Sequence, residues 1–317
     1  MALLTEAGGI GHSPRLIHEL RAQSPEPIRM HRRGLWLLFL PALLAGLGSR
    51  SAGAGAKNFA LYGSDRGPVE EASAVSAAAR ARVVLLGERH SDEGHHELQL
   101  WFLRRLMGAG HVFSLGLEMF PPDGQADLDR WSAGESGEEE FAEAFARHWT
   151  GSYWPGYRDI FLFARDRGVP LLGLNAARRT TETRAGAGPR PDSGQIIDRP
   201  GEDCAADPSY RELLAKALNR DPADEAELRR FCETQIDVDR AIAGNIAKAL
   251  GAGRARAVVT LAGVFHAWDR GVPARLQEHE GFPRGSIVTV MPRDDKYFYD
   301  YEFLARGADF FWTERGQ

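Results

Sequence analysis

The chain has 317 residues, 43% of them hydrophobic and 26% charged, with a formal net charge of −5. That apolar fraction excludes a wholly disordered chain, and so mild a charge gives no footprint for nucleic acid. Two cysteines exclude a disulfide-dense scaffold and a four-cysteine zinc site.

Residues 1–56 read as an upstream extension followed by an export signal from about Met30. His31-Arg32-Arg33 form a basic flank, Leu35 to Leu47 an apolar centre, and Ser51-Ala52-Gly53-Ala54-Gly55-Ala56 a small-residue exit suited to cleavage after Ala54 or Ala56. The apolar run Gly34–Gly48 contains Pro41 and falls short of the roughly 20 residues of a spanning helix. A buried helix of the folded domain is the competing reading. Residues 1–29 read as a start-codon error or a long leader. No cysteine stands near the cleavage site, so an exported protein, periplasmic or extracellular, without a lipid anchor there is expected. Residues 57–317 are then one domain, and export leaves Cys204 and Cys232 open either to a disulfide or to two independent thiols.

Along that domain, apolar runs at Arg82–Leu86, Val112–Leu117, Val169–Leu174, Ala257–Leu261 and Ser286–Met291 predict strands buried on both faces. Gly94–Met107, Tyr157–Arg167, Tyr210–Leu218 and Glu225–Leu250 predict helices, with Asp92 as a candidate cap of the first. Residues 180–207, rich in Gly, Pro, Asp, Arg and Thr, predict a loop insert, and Lys296–Phe303 a late strand at a sheet edge. Strands alternating with helices give an α/β fold: a mainly parallel mixed sheet with helices on both faces and a site at the strand carboxyl ends.

The chemistry gathers behind the strands. Leu86 is followed by Gly87-Glu88-Arg89-His90, Leu117 by Glu118, Leu174 by Asn175, and Leu261-Ala262 by Gly263-Val264-Phe265-His266. Glu88, His90, Glu118, Asn175 and His266 are thus expected on one rim. Two Gly-x-x-His turns joined by a strand-end Glu suit a divalent ion (zinc, manganese or iron), with His90, Glu118 and His266 as ligands. His95 and His96 open the next helix about 100° apart, so at most one faces the site. His95 stays open between ligand and structural roles, and His96 is expected to pack. His111, His148 and His279 are expected to be ordinary. Tyr153, Trp154 and Tyr157 form an aromatic loop able to wall a flat ligand or offer a phenolate to iron; plain packing at a helix start is the alternative.

The segments Leu86-Gly87-Glu88-Arg89-His90-Ser91-Asp92, His95-His96-Glu97-Leu98-Gln99 and Gly116-Leu117-Glu118-Met119-Phe120 resemble the ChaN-like haem-binding family. Trp154-Pro155-Gly156-Tyr157, Thr234-Gln235 with Asp239-Arg240-Ala241-Ile242-Ala243, Ala262-Gly263-Val264-Phe265-His266 and Ala308-Asp309-Phe310-Phe311-Trp312 continue the resemblance in order, with Ile242 where the family has Met. That family shares a superfamily with the TIKI and TraB proteins and the erythromycin esterases. The resemblance implies an exported, non-enzymatic protein that binds haem for iron uptake. It also implies a homodimer with face-to-face haems and periplasmic or outer-membrane uptake components as partners. It makes Tyr157, then Tyr153, the candidate haem ligand, with His95 and Asn175 beside the cofactor. The superfamily's other branch resembles metal-dependent hydrolases, in which Glu88 would be the base.

Overall fold

The computed structural model describes residues 59–176, 215, 225–293 and 307–314. The expected export signal, the expected 180–207 insert, the expected Lys296–Phe303 strand, Cys204 and all of Tyr210–Leu218 except Ala215 lie outside the described residues. Cys232 is buried and is not a free thiol.

Eight strands form one sheet in the order β2-β1-β8-β7-β3-β6-β4-β5. They are β1 (Phe59–Gly63), β2 (Pro68–Val69), β3 (Val83–Glu88), β4 (Ser114–Leu117), β5 (Leu171–Gly173), β6 (Val258–Gly263), β7 (Ile287–Pro292) and β8 (Phe310–Glu314). From β8 to β5 all neighbours are parallel, whereas β1 runs antiparallel to both β8 and β2. The expected α/β fold with a mainly parallel mixed sheet is what the chain forms.

Side chains alternate across a strand, so each strand feeds two cores. Val84, Leu86, Leu115, Leu117, Val259 and Leu261 pack on one face beneath α1 (Glu71–Arg80), α2 (Glu93–Gly108), α3 (Gln125–Ser132), α4 (Glu138–His148) and α5 (Trp154–Arg167). Val83, Leu85, Leu172, Leu174, Val258 and Met291 pack on the other, beneath α6 (Glu225–Gly251), α7 (Val264–Ala267) and α8 (Val272–Glu278). Every residue of β3, β6 and β7 is buried, as apolar runs covered on both faces require.

Local signals set the helix ends that aim the site. Asp92 caps α2, its carboxylate accepting the Gly94 N–H at 2.9 Å. Pro155 sits in the first turn of α5, which stops at Gly168 with φ +64°, the left-handed conformation a glycine adopts without strain. Among the described residues no helix is long and apolar enough to cross a membrane.

Candidate functional site

Four strand carboxyl ends lie side by side. Glu88 ends β3 in register with Gly263 at the end of β6. Leu117 of β4 pairs with Leu261 of β6, so Glu118 emerges next to that end. Asn175 follows β5 and ties the edge together: its side-chain amide donates to the Glu118 carbonyl at 2.7 Å and its backbone N–H to the Phe120 carbonyl at 3.0 Å. Asn175 therefore positions Glu118 through the backbone.

Glu88 is buried beneath the α2–α5 layer and is saturated with donors. His90 Nδ1–H donates to its Oε1 at 2.8 Å, and the Tyr157 hydroxyl donates to the same oxygen. Gln99 Nε2 donates to Oε2 at 2.7 Å, with His96 Nε2 at 3.5 Å. Burial works against its charge. The His90 hydrogen bond and charge, with His96 and Tyr157 adding, win and hold the carboxyl at about 2. Burial likewise opposes charge on His90, yet Glu118 and then Glu88 push that imidazole up to about 9.

Tyr157, the leading candidate for a phenolate on haem iron, takes a different part. It is fully buried, and its hydroxyl is given to Glu88. Burial, then the Glu88 charge, push the phenol well above its ordinary range, so it stays a donor. Tyr153 is half-buried in the turn before α5, close enough to bear on Tyr157.

The other layer supplies a second carboxylate–imidazole pair. His266, in α7 just past β6, is buried, and its Nδ1 lies 2.7 Å from Asp239 Oδ1 on α6. Burial pushes Asp239 up to about 6 against the pull of His266 and Arg275. His266 is itself raised: burial opposes its charge, while Glu118 and Asp239 favour it.

The two pairs meet at Glu118. His90 Nε2 lies 3.7 Å and His266 Nε2 3.5 Å from its Oε1, both beyond ordinary hydrogen-bond range, while its Oε2 accepts the Gly263 N–H at 2.6 Å. A Cβ at Gly263 would stand 3.0 Å from His90 Nε2, so glycine is what lets this ring close on the strand end. His90, Glu118 and His266 are thus brought together. Among the described residues no group of three or more His, Cys, Asp or Glu is placed to hold a metal ion.

His95 faces elsewhere. Its Nδ1 accepts the Arg89 N–H at 2.8 Å and its ring meets Trp312 edge-on, so it fastens the loop that carries His90. His96 packs as expected, at 4.0 Å between ring centroids from Tyr157, but it also lies against Glu88. Neither of its ring nitrogens has a hydrogen-bond partner, and burial pushes its pKa down.

Sequence reasoning left three participants out of the site. Asp239 had a signal: it occupies the apolar stripe of α6 with Cys232, Ile242 and Ile246, where a carboxylate is out of place. Gln99 sits likewise on the buried face of α2. Trp149, whose ring stands 4.9 Å from that of His90, had none.

A model of the haem-binding uptake family (Tiki superfamily, ChaN) matches residues 74–276, a span that contains every residue of this cluster. Among solved structures, the chain is similar to ChaN of Campylobacter jejuni, described with cofacial haem binding. The identity is 20% and the TM-score 0.62, over 81% of this chain and 97% of that one. It is also similar to the type III effector HopBA1, with 13% identity and a TM-score of 0.45 over 75% of this chain and 89% of that one. A mutant of the erythromycin esterase EreC in its open conformation follows, with 14% identity and a TM-score of 0.43 over 70% and 72%. No curated protein matches the chain. With the family model covering well over half of its length, the chain belongs to the ChaN haem-binding uptake family of the Tiki superfamily.

Proposed function

We propose that this protein binds haem in the crevice at the strand carboxyl ends and serves haem or iron uptake outside the cytoplasm. The observation that carries the reading is the family match over residues 74–276. The donor chemistry fits the cargo. Haem iron takes imidazole or phenolate ligands, and a flat, largely apolar ring needs half-open aromatic walls. The His90 side chain is 27% exposed, with Nδ1 anchored on Glu88 and Trp149 against its ring. Half-buried Tyr153 and Trp154 supply further aromatic surface. We assign His90 and Tyr153 as the residues that meet haem, with Tyr157 and Glu88 holding His90 from behind. A homodimer with paired haems follows from the cofacial binding described for Campylobacter jejuni ChaN.

Haem titration of the apo-protein, followed by absorbance, tests this. A saturable Soret shift is expected, weakened in His90→Ala and Tyr153→Phe. The absence of a shift in the wild-type protein refutes it. Export is supported by the sequence of residues 30–56 alone, and N-terminal sequencing of the mature protein checks it: a first residue at Gly55 or Lys57 is expected.

A metal-dependent hydrolase is the second reading, favoured by the approach of both Nε2 atoms to Glu118. Glu88 does not suit the base in such a mechanism. Both of its oxygens are occupied, and a carboxyl held at about 2 has too little proton affinity at neutral pH. Glu118, with Oε1 between two imidazoles, has the better position.

A further inference from the structure

We infer that Asp239 is a positioning residue for His266. Its carboxylate, brought from the layer opposite Glu88, holds a ring proton on Nδ1 and leaves Nε2, the nitrogen that faces Glu118, as the position that gains or loses a proton. The argument starts from hydrogen-bond polarity. An ionised carboxylate only accepts, so a ring nitrogen 2.7 Å from Asp239 Oδ1 must carry the proton. The other nitrogen is left as the ligating or titrating position, and it is the one that faces Glu118 at 3.5 Å.

Burial makes this arrangement costly as a mere fastening. Asp239 and His266 are 2% and 6% exposed, in a layer otherwise packed from Ile242, Ile246, Val264 and Trp268. An apolar pair there would join α6 to α7 without removing charge from water. The same construction occurs on the opposite face of the sheet, where Glu88 holds His90 by Nδ1. Two layers that share no helix have thus each placed a buried carboxylate behind an imidazole, and both imidazoles aim at one oxygen. A carboxylate behind a histidine sets its tautomer and raises its strength as a ligand, and its loss typically costs about 10–100-fold in affinity.

The inference concerns the ring in the haem-free protein. It does not rest on the haem reading. The test uses the full chain labelled with nitrogen-15 in its histidine rings. In the wild type, at a pH high enough to leave the ring neutral, His266 is expected to show its proton on Nδ1, shifted downfield and slow to exchange. In Asp239→Leu no acceptor is left behind Nδ1, and the proton of the neutral ring is expected to move to Nε2, beside Glu118. A purely structural tie would leave the tautomer unmoved. The inference is overturned by a wild-type ring protonated on Nε2, which needs no variant to fold. It is also overturned by an Asp239→Leu ring that keeps its Nδ1 proton.

Discussion

Replacing Glu88 with Gln isolates the charge at the centre of the buried cluster, because the two side chains have nearly the same shape. The wild-type carboxyl is held at about 2 against an ordinary value of 4.5. At 1.36 kcal/mol per unit, the folded state gains about 3 kcal/mol from keeping this group ionised. His90 is displaced by a similar amount in the opposite direction, to about 9 from 6.5. Glu118 supplies the leading part of the His90 displacement and the rest is the Glu88 interaction seen from its other end, so the Glu88 energy is counted once. The signs define a window. The lowered pKa of Glu88 gives stability that is complete above about 4.5 and lost as pH falls through about 2. The raised pKa of His90 gives stability that is complete below about 6.5 and lost as pH rises through about 9. Urea unfolding of the wild type and Glu88→Gln is therefore expected to differ by about 3 kcal/mol between pH 5 and 6, at equal m-value. The gap closes toward pH 2 and narrows above pH 9. A difference that does not vary with pH, or one below about 1 kcal/mol at pH 6, refutes the reasoning that this carboxylate is ionised by its neighbours.

Other substitutions probe separate links. Gly263→Ala puts a methyl group 3.0 Å from His90 Nε2 and 3.6 Å from Glu118 Oε2. It is expected to weaken haem binding by at least about 10-fold while moving the urea midpoint little, and equal affinity by absorbance titration counts against the site. Gly168→Ala meets no atom within 4 Å but must hold φ +64°, so a loss of about 1 kcal/mol in urea unfolding is expected, from strain alone. Leu85→Ala empties a fully buried position in the core beneath α6–α8. Calorimetry or urea unfolding should show a loss of about 2–5 kcal/mol with haem affinity kept, since the site lies at the strand ends.

The central sheet was legible because its strands are buried on both faces. Val83-Val84-Leu85-Leu86 and Val258-Val259 leave no alternative to a covered parallel strand, and the strand-end residues follow directly. The remainder has weaker signatures. β1 alternates buried and half-buried residues over Phe59–Gly63 only, soon after the small-residue run of residues 51–56, and β2 is two residues long. α1 buries only Ala74, Val75 and Ala78, too little apolar surface to draw a stripe. β8 overlaps the Ala308–Trp312 segment, and its place between β7 and β1 is set by pairing with both strands, which no local pattern encodes. Within the site, types and order were readable but partners were not. Tyr157 and Glu88 are 69 positions apart, and only the docking of α5 on α2 reveals that the tyrosine serves the glutamate.

That docking also decides how a ligand meets the two imidazoles. They are not equivalent, although both are held by a buried carboxylate. His266 is sealed between α6 and the sheet edge, whereas the His90 side chain keeps 27% of its surface open. Of the two imidazoles, His90 is therefore the one open to solvent, with Trp149 against its ring and the buried Glu118 beyond its Nε2. Gly156 makes the backing of His90 possible, since a Cβ there would run into the His96 ring that fills the space beside Tyr157 and Glu88. A larger residue at position 156 would push His96 toward Glu88 and loosen the hydrogen bonds that fix His90. The open imidazole therefore depends on a glycine in the first turn of α5, on the far side of the carboxylate from any ligand.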